Sequence, residues 1–376
     1  MRRLKELPAP SPAARRALGP YARGRLVEKA LGLTLTLDVP WDVFSSQRID
    51  DGTLLLLKNL PEGEPDSLLD LGCGYGALGL PIAARWPSSR CVLIDRDLLA
   101  VAASAHNARA LKLDNVEVRP GLGYGGISER FDWVLCNVPA RIGERAIRYL
   151  LQHAPGERVR VVVIRDLARI AEKVARHVAR GPRHDVFELE PGGLADEDVY
   201  GRDEVDFFAL RLVRPHDVSE DPSHFRMLSL LADSLPRVAP ARALVFRAGY
   251  GILPLLLSTR FPQAKVVAQE RDLLEAEFIR RNAPGVEVRE TLFPADGLPA
   301  RTFDLILGVL SAPAGPAVAA RELKEAEGLL APGGQALVLC SEKQEREWLR
   351  KGAAPTVLLR REGASVLRIS RSREGK

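Results

Sequence analysis

The chain is poor in sulfur and in rings, with 4 Cys, 2 Met, 6 His and 6% aromatic residues among 376. Cys73, Cys91, Cys136 and Cys340 form no Cys-x-x-Cys pair and have no His at ligand spacing. That argues against a disulfide framework and against zinc or any other metal, and the cysteines are expected to be reduced and structural. No apolar run approaches the roughly 18 to 20 residues of a membrane span, and the N-terminus is Arg- and Pro-rich without an apolar signal core. A cytoplasmic protein without a membrane segment is expected. His106, His153, His177, His184, His216 and His224 are scattered in mostly polar contexts and receive no catalytic assignment.

What the sequence does have is an internal repeat. Gly74 to Asn107 lines up without a gap on Gly249 to Asn282, with roughly thirteen of 34 positions identical, and the length suits two domains. In each copy, strand-like runs alternate with helical spacing. The first has SLLDLG, RCVLID, NVEVRP, FDWVLCNVP and VRVVVI; the second has RALVFR, KVVAQE, VEVRE, FDLILGVL and QALVLC. Such alternation predicts an α/β fold of two tandem, doubly wound Rossmann-like domains, the second degenerate. DVFELE and VDFFALRLV are expected to close the first domain as an antiparallel pair. The expected organisation is a basic arm or helix over 1–35, a cofactor-binding domain over 36–213, a polar linker over 214–225 and the degenerate copy over 226–376.

Charge is uneven. Net charge is +5 overall, yet residues 1–30 hold Arg2, Arg3, Lys5, Arg15, Arg16, Arg23, Arg25 and Lys29 against Glu6 and Glu28. A second cluster comprises Arg158, Arg160, Arg165, Arg169, Lys173, Arg176, Arg180 and Arg183. Clusters of this kind suit RNA phosphates, although an Arg-rich chain also uses Arg as a plain surface residue, and neither cluster has interleaved aromatics to stack bases.

The chemistry-bearing stretch of the first copy is LLDLGCGYGALGL, a strand, a Gly-rich turn at Gly72, Gly74 and Gly76, and a helix. Glycines there let the backbone turn sharply and approach a ligand. Asp95, ending the next strand, is placed to accept hydrogen bonds from ribose hydroxyls, which a dinucleotide would also use. Asp70 discriminates: a carboxylate beside the turn suits a cationic amino acid moiety and would repel a pyrophosphate, which favours S-adenosyl-L-methionine. The third strand ends at Gly121 and Leu122, so adenine recognition there must use the main chain.

DLGCGYG with Asp95 and FDWVLCNVPA resembles the class I S-adenosylmethionine-dependent methyltransferases. VFSSQRIDDGTLLLL matches, at Phe44, Ser45, Arg48, Asp50, Gly52 and Thr53, a stretch of the small-domain enzymes that methylate guanine exocyclic amines of ribosomal RNA. The resemblance implies tandem domains of which one has lost its motifs; in that family the degenerate copy comes first, whereas here it is the second. Val245, Arg247 and Val309 replace Asp70, Gly72 and Asn137 in it, and Glu270 replaces Asp95, so no cofactor is expected there.

Where the family has Asn-Pro-Pro-aromatic, this chain has Asn137-Val138-Pro139-Ala140. The Asn137 carbonyl and the main-chain carbonyl of Val138 can accept both N–H bonds of an amine, and Pro139 stiffens the turn. Ala140 cannot stack on a base; Arg141, Trp41, Phe44 or Tyr124 could replace it. Trp133 and Cys136 read as core. The resulting expectation is methyl transfer to an exocyclic amine of an RNA base, most simply guanine in ribosomal RNA. A protein or small-molecule amine substrate and a non-catalytic RNA-binding or ribosome-assembly role remain as alternatives.

Overall fold

A computed structural model describes residues 7–192, 198–216, 222–348 and 355–371. The chain divides into two compact units, Met1–Tyr200 and Gly201–Lys376.

The first unit opens with helix α1 (Pro12–Leu18), N-capped by Ser11, and a hairpin of β1 (Ala22–Ala30) and β2 (Leu33–Pro40). Leu31 and Gly32 both have positive φ, the geometry of a tight hairpin turn. Position 7 onward is therefore folded structure and not a loose basic arm; Arg2, Arg3 and Lys5 lie outside the described residues. Buried Asp38 on β2 anchors it: it accepts from Ser11 Oγ at 2.7 Å and lies 2.9 Å from His106 Nε2.

After α2 (Asp51–Leu57) come β3 (Ser67–Leu71), α3 (Gly79–Arg85), β4 (Arg90–Asp95), α4 (Leu98–Ala110), β5 (Val116–Pro120), β6 (Phe131–Asn137), α5 (Glu144–Gln152), β7 (Gly156–Ile164), α6 (Ala168–Ala171), β8 (Ala175–Arg180) and β9 (His184–Leu189). The seven strands lie in the order β5-β4-β3-β6-β7-β9-β8, parallel from β5 to β7. Because β3 leads outward to β4 on one side and β6 lies on its other side, strand order reverses between β3 and β6. Ligands of such sheets sit beyond the carboxyl ends at that switch, which here are the ends of Asp70 and Asn137. Trp133 and Cys136 are buried in β6, and all four cysteines are free and buried.

The expected pairing of DVFELE with VDFFALRLV is not found. Instead β9 lies between β7 and β8, antiparallel to both. The strand ARHVAR that forms β8 carries no apolar alternation to mark it in the sequence: it is an edge strand that presents charge to solvent.

The second unit begins with a hairpin, β10 (Gly201–Phe207) and β11 (Leu210–Pro215). The boundary therefore falls before this hairpin, not at a linker over 214–225, of which residues 217–221 lie outside the described residues. Next come α7 (Pro222–Asp233), β12 (Arg242–Phe246), α8 (Ile252–Arg260), β13 (Lys265–Glu270), α9 (Leu273–Asn282), β14 (Glu287–Glu290), β15 (Phe303–Val309), α10 (Pro316–Leu329), β16 (Leu330–Ser341), α11 (Glu342–Trp348), β17 (Thr356–Arg361) and β18 (Ala364–Ser370). The sheet order β14-β13-β12-β15-β16-β18-β17 repeats the first. The stretch APGG, Ala331 to Gly334, lies inside β16, where the pairing with β15 shifts register.

The repeat extends to individual hydrogen bonds. Asn107 accepts from Asp38 N and donates to Asp38 O and Tyr75 O. Asn282 accepts from Val213 N and donates to Val213 O and Tyr250 O, the same three bonds in the second copy. In both units this Asn ties the leading hairpin to the Gly-rich turn, so the hairpin is part of the duplicated unit.

Candidate active site

The turn after β3 has two kinds of glycine. Gly72 (φ +78) and Gly74 (φ +59) have nothing within 4 Å of where a Cβ would stand, so they leave an open cradle; a Cβ on Gly76 would run into Leu80. Gly76 therefore serves the turn and the packing of α3. Asp95 fixes the cradle from the side: its Oδ2 accepts from Gly74 N at 2.8 Å and its Oδ1 from Asp97 N at 2.9 Å. At the end of β5, Gly121 N is bonded to Asp95 O and Leu122 O accepts from Gly125 N. Those two residues can still offer the Gly121 carbonyl and the Leu122 N–H.

Asp70 differs from its expected part. It is 1% exposed, and its Oδ2 accepts from Gly79 N at 2.8 Å, tying β3 to the start of α3. Burial first, and then the neighbouring Asp95, raise its pKa to about 7, against one hydrogen bond that lowers it. A cation beyond the turn would be felt through the field of this carboxylate and not by contact. Burial also pushes the Cys73 and Cys136 thiols well up, which leaves neither as a thiolate nucleophile.

Asn137 ends β6. Its Nδ2 donates to Asp50 Oδ2 at 3.2 Å and to Thr53 Oγ1 at 3.1 Å. Because a carboxylate only accepts, the amide nitrogen must face it, which leaves Oδ1 as the acceptor presented to a substrate. Asp50 is itself held as the N-cap of α2, accepting from Gly52 N at 2.8 Å, and His184 Nε2 lies 3.8 Å from it. Val138 is anchored by its N–H to Val162 O at 2.9 Å, with its side chain buried, while Pro139, Ala140 and Arg141 are exposed.

Asp50 and Thr53 thus acquire a role that the sequence reading did not assign. Three residues apart at a helix start, they share one face of the first turn, and that spacing was the available signal. For His184, on a strand some 130 residues along the chain, there was none. Of the stand-ins for the missing aromatic, Tyr124 is ruled out: it is 3% exposed, and its hydroxyl donates to Leu150 O at 3.0 Å.

Residues 34–157 match the sequence profile of the methyltransferase small domain. The match lies within the first unit. Related sequences include the ribosomal RNA large subunit methyltransferase G of Shewanella loihica, 36% identical over 112 residues, and the ribosomal RNA small subunit methyltransferase C of Pseudomonas putida W619, 42% identical over 101. Each match covers 27% of this chain, and 28% and 30% of those relatives respectively. The T. thermophilus 16S rRNA N2 methyltransferase, solved with AdoMet and guanosine, superposes with a TM-score of 0.67 at 20% identity, over 94% of this chain and 99% of that one. The likeness establishes the tandem Rossmann-like fold.

In the second copy the corresponding place is filled. Arg247, at φ +49 where the first copy has Gly72, donates from Nε to Glu322 Oε1 at 2.8 Å. Glu270 accepts from Gly249 N at 2.9 Å, as Asp95 does from Gly74, and burial raises its pKa. A cavity of about 20 Å³ lies among Phe246, Arg247, Gln269, Glu270, Phe293 and Glu322, room for about one water and far too little for an adenosine.

Part of the second basic cluster is engaged within the fold. Arg158 and Arg160 donate to carbonyls of Glu62, Asn59 and Leu60, Arg176 pairs with Glu188, and Arg165 and Arg180 surround buried Asp185. Arg158 and Arg160 serve the fold, whereas Arg165, Arg176 and Arg180, with side chains 45%, 69% and 68% exposed, pair with Asp185 and Glu188 and still face solvent. Among the described residues no helix is long and apolar enough to cross a membrane.

Proposed function

We propose that the chain is an S-adenosylmethionine-dependent methyltransferase that places a methyl group on the exocyclic amine of an RNA base, guanine in ribosomal RNA, in the cytoplasm. The observation that carries this is the Asn137 amide, clamped by Asp50 and Thr53 at the end of β6, beside the open cradle of Gly72 and Gly74.

The residues present fit the cofactor. Gly72 and Gly74 leave room at the turn, Asp95 can accept from the ribose hydroxyls while holding Gly74, and Gly121 and Leu122 offer main-chain groups to adenine. Asp70 favours a cationic moiety through its field. Bound there, S-adenosylmethionine supplies an electrophilic methyl group on a sulfonium centre.

The rest of the task is positioning. The lone pair of a ring-conjugated amine is delocalised. Asn137 Oδ1 and the Val138 carbonyl accept its two N–H bonds, hold the nitrogen in place and favour the pyramidal geometry that attacks. Pro139 keeps both acceptors aimed. An RNA substrate is supported by the relatives of the first unit, which are named as ribosomal RNA methyltransferases. The second unit serves as support or as a docking surface for the substrate.

Calorimetric titration with S-adenosylmethionine, followed by labelled-methyl transfer into total RNA and total protein, tests the reading. Cofactor binding with label in RNA is expected. Absence of binding sinks the proposal; label in protein favours the amine alternative, and binding without any transfer favours the non-catalytic one.

A further inference from the structure

The segment 41–50 joins the hairpin to α2 and borders both halves of the site. At one end Tyr75, in the Gly-rich turn, donates from its hydroxyl to Ser45 O at 3.3 Å. At the other, Asp50 holds the Asn137 amide. Between them Ser45 adopts φ +58, a left-handed conformation uncommon for a residue with a Cβ, and its hydroxyl donates to Arg48 O at 2.7 Å. Arg23 braces the same segment, donating to Ser46 Oγ at 2.7 Å and lying 4.2 Å above the centre of the Trp41 ring.

On this braced loop Phe44 is 71% exposed, the most exposed aromatic side chain among the described residues. Leaving a Phe ring in water forgoes the apolar burial that its size makes available. Ala140 offers no ring. Trp41 already has Arg23 over its ring, and Tyr124 is buried.

We propose that Phe44 is the platform on which the target base stacks, taking the part for which Ala140 has no side chain. The inference rests on the functional reading above and specifies it further. A ring carried by the segment between the cofactor turn and Asn137 can lie against a base whose amine is held by Asn137. Stacking is indifferent to base identity, so Phe44 sets affinity for a flipped-out base, and the Asn137 and Val138 carbonyls select an amine.

The test uses the full chain with unmodified small- and large-subunit ribosomal RNA transcripts, and compares wild type with Phe44→Ala, Phe44→Trp and the double variant Phe44→Ala/Ala140→Phe. Phe44→Ala is expected to raise KM for RNA roughly ten- to a hundred-fold, with S-adenosylmethionine affinity unchanged by calorimetry. Phe44→Trp should hold KM near wild type, and the double variant should recover most of the loss, because a ring at position 140 next to Asn137 can serve the same base. Unchanged KM in Phe44→Ala, or a loss that neither Phe44→Trp nor the added Ala140→Phe repairs, overturns the assignment while wild-type transfer keeps the functional reading standing. If wild type transfers no methyl to either RNA, that reading falls and the stacking role falls with it.

Discussion

Asn137 and Thr53 meet across 84 residues of sequence, the amide nitrogen donating to the hydroxyl at 3.1 Å. With Asp50 taking the other N–H, the amide cannot flip, and its oxygen faces the substrate side. Thr53→Val removes one of the two restraints without changing shape. It is expected to lower kcat roughly ten-fold, the effect of a hydrogen bond of about 1 to 1.5 kcal/mol, with cofactor affinity unchanged. Asn137→Asp is more severe, since it sets a second carboxylate against Asp50; a hundred-fold loss or more is expected. Steady-state kinetics with RNA in excess checks both, and an unaltered kcat in either variant removes the positioning role.

The alternation of strands and helices and the Gly-rich turn are legible because they follow from short-range patterns. Gly72 and Gly74 occupy a strand-to-helix turn, and Asp95 ends an apolar run. The duplication also supplied its own contrast in Arg247. What escaped was set by long-range packing. Asp70 reads as a ligand-facing acid, yet its oxygen is used by Gly79 N nine residues on, at the start of α3. The basic stretch before residue 36 reads as an arm or helix; it holds α1, and Arg23 and Arg25 alternate with neutral residues in β1, which pairs with β2 and packs on α1. In the Arg cluster after residue 158, sequence spacing cannot show that Arg158 and Arg160 reach the carbonyls of Glu62, Asn59 and Leu60, far earlier in the chain.

Asp95 joins fold and function in one side chain. Asp95→Ala would leave the N–H groups of Gly74 and Asp97 without their acceptor and take away the partner for the ribose. S-adenosylmethionine affinity is expected to drop roughly ten- to a hundred-fold, since hydrogen bonds to charged groups contribute about 1.5 to 3 kcal/mol. Asp95→Glu should keep the turn, because Glu270 makes the equivalent bond in the second copy at 2.9 Å, while displacing the carboxylate from the sugar. Calorimetry on the two variants separates these effects; equal affinities in wild type and Asp95→Ala would show that the cofactor is held elsewhere.

Asp70 makes stability depend on pH. Its folded pKa, about 7, is raised above the roughly 3.9 of an unfolded Asp, so between these values the folded chain keeps a proton that the unfolded chain has released. That contribution is complete below about pH 4 and is lost as pH rises to about 7. Asp70→Asn can still accept from Gly79 N but does not ionise. The Tm of the variant, measured without cofactor, is expected to gain on wild type steadily between pH 4 and 7 and to exceed it at pH 8, while S-adenosylmethionine affinity decreases for want of the negative field. A constant Tm difference across that range would mean that Asp70 titrates normally.

The second copy carries a buried ion pair where the first has an open turn. Glu322 is 1% exposed and lies 2.8 Å from Arg247 Nε. Taking both charges out of water costs more than their attraction returns unless geometry is good, yet removing one partner alone leaves an uncompensated buried charge, at a cost of about 3 to 5 kcal/mol. Arg247→Met should therefore destabilise the chain strongly, even though it touches no cofactor residue of the first unit. Arg247→Met/Glu322→Leu removes the pair together and should restore most of the lost stability. Denaturant unfolding gives the two values, and S-adenosylmethionine binding should be the same in both variants as in wild type. If either variant altered cofactor affinity, the filled turn of the second copy would have to act on the site and not only close its own remnant.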